Sequence, residues 1–262
     1  ELLPNAERLE TTFGFSSAAD PSILTGRYPD EHTHWSCFYY NPENSPFKPL
    51  KLLSFLPRRL FDRWRVRHLL SKVLKKVYGW TGYFQLYSVP FNVLPYFDYL
   101  EKYDYFVPGG ILRTDTIFDY CAENGIDYHC SNWRKDETEV VEDLKKDIER
   151  EKIKFAYLYL PQLDAVMHEY GTEAAEVEAK ICELEQKVRD VYEFARQHYD
   201  EVALYAISDH GMADVTENID LISIVDSAGL EFGKDYVAMY DSTMARFWFM
   251  NDKSRQKINS LL

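Results

Sequence analysis

Val202-Ala-Leu-Tyr-Ala-Ile207-Ser208-Asp209-His210-Gly211-Met212 is the stretch that decides the architecture. A short continuous apolar run reads as a strand buried on both faces, the kind found in parallel sheets. This one ends on a polar Ser-Asp-His-Gly turn. Earlier in the chain, Phe155-Ala-Tyr-Leu-Tyr-Leu160 leads into Asp164-Ala-Val-Met-His168, with Gly171 following. Two strands thus deliver an Asp and a His each to the same edge of a sheet, where ligands of open α/β sheets gather.

Around these runs, strand and helix patterns alternate. Thr114 or Asp115 is placed to cap a helix ending at Asn124, with Gly125 at its C′ position. Residues 126–130 read as a short strand. Residues 136–151 read as a charged helix with Val140, Val141, Leu144 and Ile148 on one face. Thr172 is placed to cap a long helix whose Val177, Ile181, Leu184, Val188, Val191 and Ala195 form one apolar stripe. A short helix near 218–228, strands at 236–240 and 245–249, and a helix capped by Asn251 complete the pattern. The prediction is an α/β fold over residues 1–262, a mostly parallel sheet flanked by helices on both faces. Residues 36–108 break the alternation, are rich in Pro, Tyr and Phe, and read as an inserted cap.

The 262 residues suffice for one large domain, and the 46% hydrophobic content supports a core. No stretch is long and apolar enough to span a membrane. Cys37, Cys121, Cys130 and Cys182 show no CxxC spacing and read as thiols of a reducing compartment, so a cytoplasmic location is expected. The formal charge of −13 argues against nucleic acid as a partner. Residues 48–76 run the other way, with ten Lys/Arg and one acid, Asp62. They read either as a solvated helical face of the cap or as a surface for an anionic substrate or membrane, with Arg58, Arg59, Arg63 and Arg65 as its candidates.

Asp164 and His168 are four apart, so a helix would put them on one face around one ion. Asp209 and His210 are adjacent and would point to opposite faces of a strand. Gly211 permits the sharp turn that brings both to one ion. Ionised Asp with neutral His suits Zn²⁺, with Mn²⁺ as the second choice. Two such ions can activate a nucleophile and stabilise both oxygens of an in-line displacement.

Ser22-Ile-Leu-Thr-Gly26 reads as a helix closing on a C′ glycine, which sets Ser16 and Ser17 at its N-terminus. A hydroxyl there lies beside free N–H groups and the positive dipole end, a favourable phosphate position. The plainer reading of either serine is a helix cap.

Taken together, Ser22 to Gly26 with Pro29 and His32, then Asp164, His168 and Gly171, then Ser208 to Met212, resemble the alkaline phosphatase superfamily, in its type I phosphodiesterase/nucleotide pyrophosphatase branch. The motifs stand in the family's order. The resemblance implies a metal-dependent hydrolase of phosphodiester or pyrophosphate bonds, acting on a phosphate-ester small molecule or nucleotide through a covalent phospho-enzyme. It places the nucleophile at Ser16, with Ser17 as the competing neighbour. It assigns Asp164 and His168 to one metal, and Asp209 and His210 to the other. A phosphomonoesterase, a sulfatase, a phosphotransferase or a non-catalytic metal- or anion-binding relative are the alternatives.

The chain departs from the family pattern in three places. Phe-Pro-Asn usually follows the nucleophile, whereas Ser17-Ala18-Ala19-Asp20 follow here. Residues 1–15 contain no Asp to serve as the family's first metal ligand, and no His follows His210 to serve as its last. The expectation is a catalytic domain that continues beyond both ends of this sequence.

Overall fold

The computed structural model describes residues 5–55, 57, 61, 63–150 and 152–262. Arg58 and Arg59, two candidates for anion recognition, lie outside the described residues, as does Asp62. The chain folds as two compact units. One comprises Glu1–Cys37, Lys75–Phe84 and Glu101–Asp214; the other comprises Phe38–Leu74, Gln85–Leu100 and Val215–Leu262.

The first unit carries Ser16, Ser17 and both Asp/His pairs. Its elements begin with α1 (Ser16–Thr25) and the short α2 (Pro29–His32). They continue with α4 (Ile117–Glu123), β3 (Tyr128–Cys130), α5 (Glu137–Ile148), β4 (Phe155–Tyr157), α6 (Gln162–Tyr170) and α7 (Ala175–His198). β3 and β4 pair in parallel, with Tyr128 opposite Phe155 and Cys130 opposite Tyr157. Leu24, Tyr105, Ile111 and Phe118 form the core beside this pair, packed by Phe106, Tyr128, Phe155 and Tyr157. Burial of a side chain such as Phe118 stabilises by about 2 kcal/mol. A second cluster, Leu144, Ile148 and Ala195, joins α5 to α7 and takes in Val202.

Helix starts follow the capping rules more closely than the sequence reading did. The cap of α4 is Thr116, not Thr114 or Asp115: its hydroxyl accepts from the Asp119 amide while the Asp119 carboxylate accepts from the Thr116 amide. Asp136 and Glu139 form the same reciprocal box at α5, and Val140, Val141, Leu144 and Ile148 are all buried. Thr172 does not cap α7, which starts at Ala175. The apolar stripe of α7 is buried at Val177 and Ala195, whereas Ile181 is half exposed.

The second unit holds β1 (Phe38–Tyr40), β2 (Phe97–Tyr99), α8 (Leu221–Asp226), β5 (Tyr236–Tyr240), β6 (Ala245–Phe249) and α9 (Asp252–Asn259). β1 pairs antiparallel with β2, and β5 with β6. Val225, Tyr236, Ala238 and Ile258 form its core. Asn251 caps α9, its side-chain oxygen accepting from the Ser254 amide at 2.9 Å. The remaining helix, α3 (Trp64–Tyr78), has its first eleven residues in this unit.

The expectation of a mostly parallel sheet is met only in part. The described residues form a mixed α/β structure of three two-stranded sheets, one parallel and two antiparallel. The run 202–207 is not a strand among the described residues, and Tyr205 is 83% exposed. Apolar continuity predicts burial on two faces, but a strand also needs a hydrogen-bonded neighbour on at least one edge.

Candidate functional site

The backbone entering α1 is tightly constrained. Gly14 has φ 126°, and a Cβ there would collide with the Trp35 carbonyl oxygen. Phe15 follows at φ 62° and ψ −170°, a region that side-chain-bearing residues adopt only under strain. The Ala18 and Ala19 amides both close on the Phe15 carbonyl, at 2.9 and 3.0 Å. Ser16 is therefore the first helical residue, and its amide and that of Ser17 have no intrahelical acceptor.

Downstream, a histidine holds α1 in register. The His34 amide donates to His32 Nδ1 at 3.1 Å, which assigns the ring proton to Nε2, 3.0 Å from Ser22 Oγ. Ser22 in turn donates to the Ala18 carbonyl at 2.9 Å. His32 is fully buried and its role here is internal. Gly26, at φ 64°, ends the helix by donating to the Ser22 carbonyl.

Ser16 meets the second Asp/His motif. Its Oγ lies 2.9 Å from His210 Nε2, and Asp209 Oδ2 lies 3.2 Å from the same nitrogen. His210 Nδ1 lies 2.9 Å from the Gly211 carbonyl. A carbonyl can only accept, so the Gly211 contact assigns a proton to Nδ1. In the neutral ring Nε2 keeps its lone pair and the Ser16 hydroxyl donates to it. The Asp209 oxygen would then face that lone pair, an arrangement that a cation held by Nε2 and Oδ2 would relieve. Thr11 Oγ1 donates to the Asp209 carbonyl at 2.5 Å, and Ser208 Oγ to the His210 carbonyl at 2.6 Å.

Ser17 turns elsewhere, with its Oγ 3.0 Å from Cys37 Sγ. Cys37 leads on to the buried Glu101 carboxyl at 3.7 Å. Burial pushes Glu101 up to about 7, against the hydrogen bonds from Ser17 and Cys37. Asp20 is also buried and is pushed up to about 8, first by desolvation and then by the charges of Asp209 and Glu101. Its carboxyl lies 3.5 Å from the Tyr159 hydroxyl. Asp20 stands in the stretch where the family pattern has a phosphate-contacting Asn, and here it is a buried acid whose pKa is raised. Sequence reasoning did not single out Asp20 or Glu101. The available signal for Asp20 was its spacing of four from Ser16 on one helix; Glu101 carried none.

Asp164 and His168 share one face of α6, as their spacing predicts, with Oδ1 and Nε2 3.5 Å apart. The helix is fixed at its start by Gln162, whose amide donates to Glu137 Oε1 at 2.8 Å. Lys180 bridges Glu137 and the Gln162 side chain, both at 2.8 Å. At the far end Gly171 has φ 84°. Thr172 there donates from its amide and its hydroxyl to the two Asp214 oxygens, both at 2.9 Å. Asp214, two residues beyond Met212, thereby ties the end of the first motif to the second. Nothing in the sequence pattern had marked it.

The structure thus brings Ser16, Asp209 and His210 together and keeps Asp164 with His168. The donor types at each pair suit a divalent ion. Among the described residues no group of three or more His, Cys, Asp or Glu could hold a metal.

The family model described as type I phosphodiesterase / nucleotide pyrophosphatase matches residues 14–260. No curated protein and no solved structure matches the chain.

Proposed function

From the premise that this chain belongs to the type I phosphodiesterase/nucleotide pyrophosphatase family, a family of hydrolases, we propose that it cleaves phosphodiester or pyrophosphate bonds through a phosphoserine at Ser16. The observation that carries this reading is the 2.9 Å contact between Ser16 Oγ and His210 Nε2 at the open end of α1.

Family members typically use divalent metals, and Asp164 with His168, and Asp209 with His210, are the side chains that would hold two such ions, Zn²⁺ before Mn²⁺. When bound, they would supply Lewis acidity at the nucleophile and at the phosphoryl oxygens. The Ser16 and Ser17 amides are oriented to receive phosphoryl oxygens, aided by the helix dipole. Ser16 Oγ attacks phosphorus, its proton passing to water, and the bond to the leaving oxygen breaks, that oxygen taking up a proton from water. The serine ester is then hydrolysed by water, which restores the hydroxyl and releases phosphate or a phosphate monoester.

The test is Ser16→Ala assayed on a chromogenic phosphodiester with added zinc or manganese. Loss of hydrolysis and of the phosphoenzyme, with metal binding retained, supports the reading. Full activity in that variant overturns it. The incomplete ligand sets favour a second reading, a non-catalytic metal- or anion-binding relative. Tight zinc binding without turnover of any mono-, di- or sulfate ester would select that reading.

A further inference from the structure

Helix α3 is amphipathic in the reverse of the usual sense. Its buried residues are polar: Arg67 and Ser71. Arg67 donates to the Phe61 and Val89 carbonyls at 3.0 and 2.8 Å and lies over the Phe91 ring. Ser71 donates to the Arg67 carbonyl and accepts from the Leu86 amide. Val66, Leu70 and Leu74 are half-buried, but the other apolar residues face outward. Leu69 is 62% exposed and Val73 49%, four apart and so in one row along the helix. Exposed Arg65 stands one turn before Leu69 in that row, and beside it a second row begins at exposed Lys72. Lys76 and Val77 extend the two rows by a turn of the same helix. Trp64 is exposed at the N-terminal end, stacked on His68. The preceding segment of the same unit adds exposed Leu52 and Phe55.

We propose that this face of α3 docks on an anionic lipid surface. Its composition is that of an interfacial helix, an apolar row flanked by cations with an amphipathic aromatic residue at one end. Residues 64–78 contain five Lys/Arg and no acid, in a chain of net charge −13. An anionic bilayer repels the acidic remainder and attracts this face, which fixes the orientation of docking. A second copy is the weaker occupant, because a two-fold contact would set the same cationic row against itself. A partner helix would need a groove, whereas this face is the convex side of a single helix. No helix among the described residues is long and apolar enough to cross a membrane, so the contact is peripheral.

The test is co-sedimentation of the full chain with vesicles of phosphatidylcholine alone and of phosphatidylcholine with phosphatidylserine. Expected is binding to the second only, weakened at high salt. Leu69→Ser with Val73→Ser should reduce it at least tenfold, as should Lys72→Glu. Hydrolysis of a soluble chromogenic diester and the circular dichroism spectrum should stay unchanged, since these side chains are exposed. Absence of binding to phosphatidylserine vesicles at low salt overturns the proposal, as does undiminished binding by the double variant. Concentration-dependent dimerisation of the wild type that the double variant abolishes would give the face to a second copy. Polyglutamate binding as tight as vesicle binding would give it to an acidic polypeptide.

Discussion

His32 Nε2 stands 3.0 Å from Ser22 Oγ, ten residues away in sequence, with His32 fully buried and Ser22 half-buried. Through Ser22 and the Ala18 carbonyl, this contact reaches the turn of α1 that begins at Ser16. His32→Ala would leave the His34 amide and the Ser22 hydroxyl short of a partner, at about 1–3 kcal/mol each. The expected result is a melting temperature lower by roughly 4–10 °C and a reduced kcat, with His32→Gln recovering part of both. Thermal melts and steady-state kinetics on the two variants check this.

How far the sequence led is clearest at particular residues. The family was legible from the stretches around Ser16 and the two Asp/His pairs, because their chemistry, spacing and order are all local. Asn251 and the β5–β6 hairpin were legible from local propensity alone. The contacts of Asp20, Glu101 and Asp214 were not, since each is made across tens or hundreds of residues and no short pattern encodes burial of an acid. The parallel sheet was over-read from 155–160 and 202–207, because an apolar run specifies burial without specifying which strand lies beside it.

Glu101 makes stability depend on pH. Its carboxyl is raised from 4.5 to about 7, mainly by burial, so the folded state binds a proton that the unfolded state releases. The contribution is complete below pH 4.5 and is lost as pH rises through about 7. Asp20, raised to about 8, adds to the same slope, with Asp209, Tyr159 and Tyr105 among its neighbours. Glu101→Gln should therefore narrow the fall in melting temperature between about pH 5 and about pH 8. An unchanged slope in differential scanning calorimetry would show that Glu101 is ionised in the folded protein.

Gly14→Ala would set a methyl group against the Trp35 carbonyl at a backbone angle that L-residues avoid. The neighbouring Phe15 already has φ 62°, so the turn into α1 has little room to adjust. The expected loss is about 2–4 kcal/mol of stability, accompanied by a fall in kcat. With Ser16 as the proposed nucleophile, this fall comes from its displacement from His210, so it should exceed the loss in a surface variant of equal stability. Comparing the two at matched fractions folded makes the distinction.

Asp214 receives two hydrogen bonds from Thr172, at 2.9 Å each, just past the glycine that ends α6. Its carboxylate is bonded to Thr172 and not to Asp164 or His210, yet it connects the segments that carry them. If these pairs bind divalent ions, outer groups of this kind set the approach of one ligand pair to the other, and their loss typically weakens affinity ten- to a hundredfold. Asp214→Ala should therefore raise the dissociation constant for zinc by about that factor while leaving the melting temperature of the metal-free protein within a few degrees of wild type. Asp214→Asn keeps one acceptor and should fall between. Isothermal titration with zinc on the three proteins, with calorimetric melts alongside, separates a positioning role from a structural one, because only the former changes affinity without changing the metal-free melt.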